Sequence, residues 1–412
     1  MTKNKKIAVI GAGIIGLCNA LQLQRQGHQV HLFDPNGVGT QCSMGNAGHF
    51  ATEQVFPLAD KTLFKKLPNM LFDTLSPLRI DWRYFAKALP WFARFCGNMP
   101  TLKYHKNTEA LKALNHAAID AYKRLLGGNF DEYIKRNGSL LTFEKFDYDE
   151  IEKLYQAYVS KGVSVELLDQ EATLALEPQL HNKINYSLLF RDAAHTPDPY
   201  KLSNALFQEF VRLGGQFIQQ AVTNLQHHES VIVTTDTVSP PAHFDKVVIC
   251  TGAWSKQLCL QLGYRLPLEA ERGYHNMLST HALSRPVASA DRQFIMTPMQ
   301  HGLRLAGTVE FAGLNSPPFY ARAASLLIHA KAMLKDFAQV KQGRYWMGAR
   351  PSLPDSLPVI GKAPEHPNIL FALGHQHLGL TQAAITSELI ANMVANQPTV
   401  FDITPYSITR FQ

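Results

Sequence analysis

Cysteine is scarce in this chain. Its 412 residues contain five (Cys18, Cys42, Cys96, Cys250 and Cys259), and no two stand at Cys-x-x-Cys spacing. An odd count without that spacing argues against a disulfide framework or a cysteine zinc site, and predicts a reduced, cytoplasmic protein. Long apolar runs are missing too. No stretch approaches the roughly 20 apolar residues that a membrane-spanning helix needs. The nearest, Ile7 to Leu23, follows Lys3, Lys5 and Lys6 and so imitates a signal peptide. It is interrupted by Gly11, Gly13 and Gly16 and has no small-residue cleavage site. There is no internal repeat, no low-complexity linker and no Ser-His-Asp or Cys-His constellation. His375-x-His377 has no companion ligands, so no metal site is expected. Acidic residues are outnumbered, 33 against 40 Lys and Arg, for a net charge of +7. A basic balance suits nucleic acid, an anionic membrane or an acidic ligand. No RNA-binding module is legible, so nucleic acid is not an expected partner.

What is present begins with a compact βαβ pattern. Lys6 to Ile10 reads as a strand, Ile14 to Gln26 as a helix ended by Gly27, and Gln29 to Phe33 as the next strand. Between the first strand and the helix lies Gly11-Ala-Gly13-Ile-Ile-Gly16. Gly11 permits the tight turn, Gly13 lets the backbone approach a pyrophosphate, and Gly16 lets helix and strand pack closely. Ile14 and Ile15 open the helix, whose N-terminus offers unpaired N–H groups to phosphate. Asp34 ends the second strand, where a carboxylate binds ribose hydroxyls and disfavours a 2′-phosphate. The unit therefore reads as a site for FAD or NAD.

At 412 residues the chain predicts two domains. Residues 60–165 are rich in aromatic, Lys and Arg residues with helical periodicity. Asp198-Pro199 is a helix start, with helical spacing from Leu202 to Leu213. Gln216 to Leu225 and Val231 to Thr235 read as strands, and Lys246 to Thr251 as a buried one. Helices are expected near 320–337 and from Leu380 to Val394, with a strand from Asn368 to Leu373. The nucleotide-binding elements fall at the start, middle and end of the chain, so two interleaved domains are expected, at 1–60, 166–261 and 341–412 and at 61–165 and 262–340.

Five blocks in this order resemble the D-amino-acid oxidase and dehydrogenase superfamily, with bacterial D-amino-acid and D-hydroxyproline dehydrogenases nearest in pattern. They are Gly11 to Gly16 with Asp34; Cys42-Ser-Met-Gly-Asn-Ala-Gly48; Cys250-Thr-Gly-Ala-Trp254; Gly348-Ala-Arg-Pro351 with Leu357-Pro-Val-Ile-Gly361; and Gly374-His-Gln-His-Leu-Gly-Leu-Thr381. The resemblance implies a Rossmann-type α/β FAD-binding domain interleaved with an α+β substrate domain built on an antiparallel sheet. It implies non-covalent FAD. Besides the first block and Asp34, the expected contacts are Ser43, Gly45, Asn46, Ala47, Gly48, Val222, Thr251, Gly252, Trp254, Gly361, Gly374, His375, Gly379, Leu380 and Thr381. Ser43 to Gly48 are small enough for the backbone to approach a flat ring, and the last helix can direct its N-terminus at it. Arg350 is the expected carboxylate ligand, since a guanidinium fork matches a carboxylate. Tyr274, His275 and His377 are expected at the substrate. The implied activity is oxidation of a D-amino acid or cyclic imino acid, with electrons passed to a quinone or other acceptor. An oxygen-using oxidase of the D-amino-acid, glycine or sarcosine type, or a flavoprotein acting on tRNA, are the alternatives.

One segment bears on location. Between Leu63 and Met99 stand Phe64, Leu67, Met70, Leu71, Phe72, Trp82, Tyr84, Phe85, Leu89, Trp91, Phe92 and Phe95. Lys65, Lys66, Arg79, Arg83, Lys87 and Arg94 are interleaved with them. Aromatic and basic residues so mixed suit a segment lying on an anionic membrane; the competing reading is a domain core with solvated charges.

Overall fold

A computed structural model describes residues 4–63, 76–237 and 240–412. Its nucleotide-binding part is a six-stranded sheet in the order Val359–Ala363, His366–Leu373, Lys246–Ile249, Lys6–Ile10, Gln29–Phe33, Gln216–Ile218. All neighbours are parallel except the first pair. Central parallel strands are covered on both faces, which is why Ile7-Ala-Val-Ile10 and Val247-Val-Ile249 are continuous apolar runs. Alternate residues divide between two cores. Ile7, Val9 and Val248 face the helices Ile14–Arg25 and Gly379–Ala395. Ala8, Ile10, Val247 and Ile249 face the opposite layer, where Leu225, Val231, Val233 and Phe244 come from a three-stranded antiparallel sheet.

The second sheet has ten strands and is mostly antiparallel. Its path runs Leu78–Ile80, Val309–Phe311, Glu269–Leu278, Gly302–Ala306, Phe294–Met299, Val287–Ser289, Ser139–Phe143, Tyr186–Phe190, Val165–Asp169, and Arg344–Ser352 pairs with Glu269–Leu278 off that path. The two parallel pairings lie between Val287–Ser289 and Ser139–Phe143 and between Val309–Phe311 and Leu78–Ile80.

Several expected boundaries move. The stretch 166–190 and residues 344–352, expected on the nucleotide side, supply strands to the larger sheet, because their hydrogen-bonding partners are Ser139–Phe143 and Glu269–Leu278. The helix Thr101–Leu126, expected with the substrate part, packs Leu111, Leu114, Tyr122 and Leu125 into the nucleotide-binding core, and Tyr122 Oη donates to the Leu380 carbonyl at 2.7 Å. The single strand read over Gln216 to Leu225 is two. Gln216–Ile218 joins the parallel sheet, and Val222–His227 pairs antiparallel with Val231–Thr235. The helix start at Asp198 is as read: its Oδ1 accepts the N–H groups of Tyr200 and Lys201, both at 3.0 Å.

Candidate active site

The glycine turn is closed by its neighbours. Gly11 has φ 104°, and a Cβ there would lie 2.5 Å from the Cys250 carbonyl oxygen. A Cβ on Gly16 would lie 1.7 Å from the Gly11 oxygen. The turn thus presses against the end of the Lys246–Ile249 strand while the helix sits on the turn. Asp34 secures it as well, accepting Ala12 N–H and Asn36 N–H, each at 2.8 Å. Ser43 Oγ accepts Ile14 N–H at 2.8 Å at the helix N-terminus.

A cavity of about 420 Å³ runs along this turn. Gly11, Gly13, Ile14, Ile15, Asp34, Ser43, Asn46, Val222, Thr251, Gly252, Trp254, Gly374, His375, Gly379 and Leu380 line it. A second cavity of about 470 Å³ adjoins it, and Cys42, Asn46 and Gln376 line both. Gly45, Ala47, Tyr274, His275, Arg350 and His377 line the second. Four expected contacts line neither: Gly16, Gly48, Gly361 and Thr381. Gly16 is spent on helix packing. Gly48 accepts Thr196 N–H at its carbonyl. Gly361 lies within the strand Val359–Ala363, and Thr381 Oγ1 accepts Ala51 N–H at 3.0 Å, tying the last helix to the loop.

Cross-strand register assembles the second cavity's wall. Glu271 stands opposite Arg350, Gly273 opposite Gly348, and His275 opposite Trp346. Side chains alternate along a strand, so these six share one face. His275 stacks on Trp346 with ring centroids 5.0 Å apart and an 18° angle. The indole occupies space that Cβ atoms on Gly45 and Gly348 would fill, at 2.3 and 2.1 Å. Gly45 is therefore small to admit Trp346, a different reason from the approach to a flat cofactor read in the sequence. Arg350 Nη1 donates to Glu271 Oε1 at 2.9 Å and to the Thr308 carbonyl at 3.1 Å. Its Nη2 lies over Gly273, where a Cβ would come within 2.3 Å, and makes no hydrogen bond among the described residues. The side chain is 22% exposed.

The other substrate candidates differ in standing. Tyr274 is on the opposite face of its strand. Its hydroxyl donates to Glu310 Oε2 at 2.5 Å and accepts Phe319 N–H at 2.9 Å. Its hydroxyl is therefore spent within a structural network, while the residue still lines the second cavity. His275 Nδ1–H donates to the Gly45 carbonyl at 3.0 Å, and burial pushes its pKa down to about 3. It braces the loop as a neutral imidazole. The His377 side chain makes no hydrogen bond among the described residues; burial lowers it to about 4, and Glu271, Arg350, Glu53 and His49 lie within its electrostatic reach.

Sequence reading passed over Glu271, Trp346, Arg304, Glu53 and Gln376 as site residues. Glu271 and Trp346 were findable by period-two alternation from Gly273 and Arg350. Arg304 donates to the Met44 and Asn46 carbonyls from a third strand, and nothing local in Leu-Arg-Leu signals that. Among the described residues no cluster of His, Cys, Asp or Glu is placed to hold a metal.

The donor set fits FAD. The glycine turn and helix N-terminus would hold the phosphates, and Asp34 at the end of the second strand would hold the ribose. A second helix, Gly379–Ala395, opens on the cavity through Gly379 and Leu380. Comparison with known proteins agrees. The family described as DAO, FAD dependent oxidoreductase, matches residues 6–393. A D-amino-acid oxidase of Bradyrhizobium diazoefficiens is 32% identical over 420 residues, covering 100% of both chains. A D-amino acid dehydrogenase of Sinorhizobium medicae is 28% identical, covering 98% of this chain and 100% of that one. Among solved structures, glycine oxidase from Geobacillus kaustophilus superposes with TM-score 0.74 at 21% identity, over 99% of each chain. L-proline dehydrogenase from P. horikoshii does so with 0.77 at 16%, over 100% and 98%. With both halves of the cleft and the full-length match in agreement, this chain belongs to the DAO family of FAD-dependent oxidoreductases.

Proposed function

We propose that the protein oxidises a D-amino acid, or a cyclic imino acid such as D-proline or a hydroxy-D-proline, at the α-carbon. The observation that carries this reading is the Arg350 guanidinium, held at Nη1 and open at Nη2, in the wall of a cavity that adjoins the FAD cleft. A carboxylate pairs with such a fork more strongly than with any neutral donor. Arg350 is already paired with Glu271, so the wall offers a dipole with little net charge, which suits a zwitterion. Bound FAD would supply the hydride acceptor, and the neutral amine's lone pair would assist loss of the α-hydrogen. The chain's own contribution is orientation, with Arg350 fixing the carboxylate and the Trp346–His275 stack limiting where the rest can lie. A primary amine yields an imino acid that hydrolyses to a 2-oxo acid and ammonia; a cyclic one yields a pyrroline carboxylate. The D configuration is supported by the names of the sequence relatives. The purified protein should be yellow and bleach anaerobically with D- but not L-amino acids. Bleaching by L-isomers alone, or none by either, sinks the reading.

FAD is held non-covalently in this reading. Burial pushes the Cys42 thiol up to about 11 and it donates to the Ala349 carbonyl, while His49 Nε2 is engaged by Glu53. Neither is poised to attack the cofactor. Flavin that stays with acid-precipitated protein is the contrary result.

The acceptor in this proposal is a membrane quinone. Residues Phe64, Lys65, Lys66, Leu67, Met70, Leu71 and Phe72 of the aromatic and basic segment lie outside the described residues. Of the remainder, Trp91 is core, donating Nε1–H to the Ser352 carbonyl, and Phe92 packs on Phe311. Trp82 and Leu89 are exposed, as is the neighbouring Leu102, with Arg83, Lys87, Arg94 and Lys103 around them. No described helix is long and apolar enough to cross a membrane. Salt-sensitive sedimentation with anionic liposomes supports peripheral contact. Fast reoxidation of the reduced flavin by oxygen, with stoichiometric hydrogen peroxide, makes the protein an oxidase instead.

A further inference from the structure

Most ionisable side chains along the second cavity have their polar atoms committed. Glu271 accepts from Arg350 at Oε1 and from Ser352 Oγ at Oε2. Tyr274, His275 and Cys42 donate to Glu310, Gly45 and Ala349. Of the two acids lining this cavity, Glu271 and Glu53, only Glu53 has an oxygen left over. Its side chain is 6% exposed, Oε1 accepts His49 Nε2–H at 2.8 Å, and Oε2 is buried without a partner. A buried carboxylate oxygen without a donor costs on the order of 1–3 kcal/mol or more, and a ligand entering the cavity that Glu53 lines can provide that donor. The position is prepared in advance. Successive tight turns after Phe50 bring Glu53 back to His49, and Asn115 Nδ2 clamps the next carbonyl, that of Gln54, at 2.8 Å.

We propose that Glu53 receives the amino nitrogen of the substrate and takes its proton, with His49 as the positioning residue that holds the carboxylate. This rests on the amino-acid reading above. Arg350 and Glu53 give the cavity a cationic and an anionic partner, and His377 stands within electrostatic reach of both. An amino acid reaches the site mostly as the ammonium form, which has no lone pair to expel the α-hydrogen. In the step proposed, one N–H bond breaks, its electron pair stays on nitrogen, and the proton bonds to Oε2. The carboxylate becomes a neutral acid and the substrate a neutral amine. The other titratable groups around Glu53 are His49, Tyr158 on the helix Tyr148–Ser160, His377, and His195 behind His49. Burial lowers His377 and His195 to about 4 and drives Tyr158 well up, so near neutrality the two imidazoles are uncharged and the phenol keeps its proton.

The test is Glu53→Gln, which keeps the shape and removes the base. For a D-amino acid, kcat/KM should fall about 100-fold at about pH 7 and recover to within a few-fold at about pH 10, where the amine sheds its proton unaided. Benzoate, a carboxylate without an amine, should bind with unchanged affinity, read from the flavin spectrum. Equal loss at both pH values with benzoate binding intact, or no loss at either, overturns the proposal. If benzoate binding is lost as well, Glu53→Asp decides: it must keep substantial activity at neutral pH, and collapse there overturns the proposal. A wild-type protein that binds benzoate yet oxidises no amino acid at any pH removes the amino-acid reading itself and this inference with it.

Discussion

At the scale of single residues, the cavity wall rests on two exchanges of space. Trp346 fills the room left by Gly45 and Gly348, and Arg350 fills the room left by Gly273. Arg350→Ala should raise KM for an amino acid by about 100-fold or more, as expected when a charge-assisted pair worth roughly 3 kcal/mol is lost. Steady-state kinetics check it; an unchanged KM removes Arg350 from the carboxylate. Gly273→Ala tests the notch. The atom its Cβ meets is the far end of a flexible side chain, so folding should be little affected while the guanidinium is pushed aside. KM should rise about tenfold with Tm nearly constant, a shift of about 1.4 kcal/mol in binding alone.

At the scale of elements, the turn between the first strand and helix leaves no slack. A methyl on Gly16 lands on the Gly11 carbonyl, and backbone cannot swing away as a side chain can. Gly16→Ala should therefore yield a protein with weak or no FAD retention and a lower Tm, measured by flavin absorbance after gel filtration and by thermal melting. Retention of a full complement of FAD would show that the helix can slide, against the packing role given to this glycine. The pairing of Glu269–Leu278 with Arg344–Ser352 is the other decisive element. A one-residue slip in register would carry Arg350 to the opposite face, away from the cavity.

At the scale of the whole molecule, histidine burial sets the response to acid. Burial lowers His275 and His375 to about 3 and His195 and His377 to about 4, from an ordinary value of 6.5. In the unfolded chain these imidazoles take up protons below about pH 6.5; in the native protein they do so only near 3 to 4. The unfolded state thus binds more protons in that window, and stability, complete above 6.5, falls as the pH drops through it. Each group contributes on the order of 1.4 kcal/mol per pH unit within the window. Denaturant midpoints should decline steeply from about pH 6.5 to 4 and change little from 7 to 8. A flat profile across the acid window would mean these imidazoles titrate as exposed ones do.

The dinucleotide-binding unit is legible in the residues alone. The glycine turn, the apolar strands on either side and the terminal Asp34 are local in the chain, and local spacing is what periodicity and turn chemistry report. Arg350 is legible there too as the candidate anchor, because the five ordered blocks carried that residue with them. Which face of a strand each neighbour takes is set only by the pairing of distant strands. That pairing turned Tyr274 toward Glu310 and left Arg350 on the cavity side with Glu271. Tertiary packing also moved Thr101–Leu126 into the nucleotide-binding core and carried residues 166–190 into the larger sheet. Those outcomes depend on partners from 14 to 296 residues away, as when Thr173 meets Ser187 or Ala110 meets Tyr406. Glu53 is the plainest case. In sequence it is one acid among 33, and only burial without a partner for Oε2 marks it out. Burial and unmet hydrogen bonds are properties of the packed chain, and no local pattern encodes them.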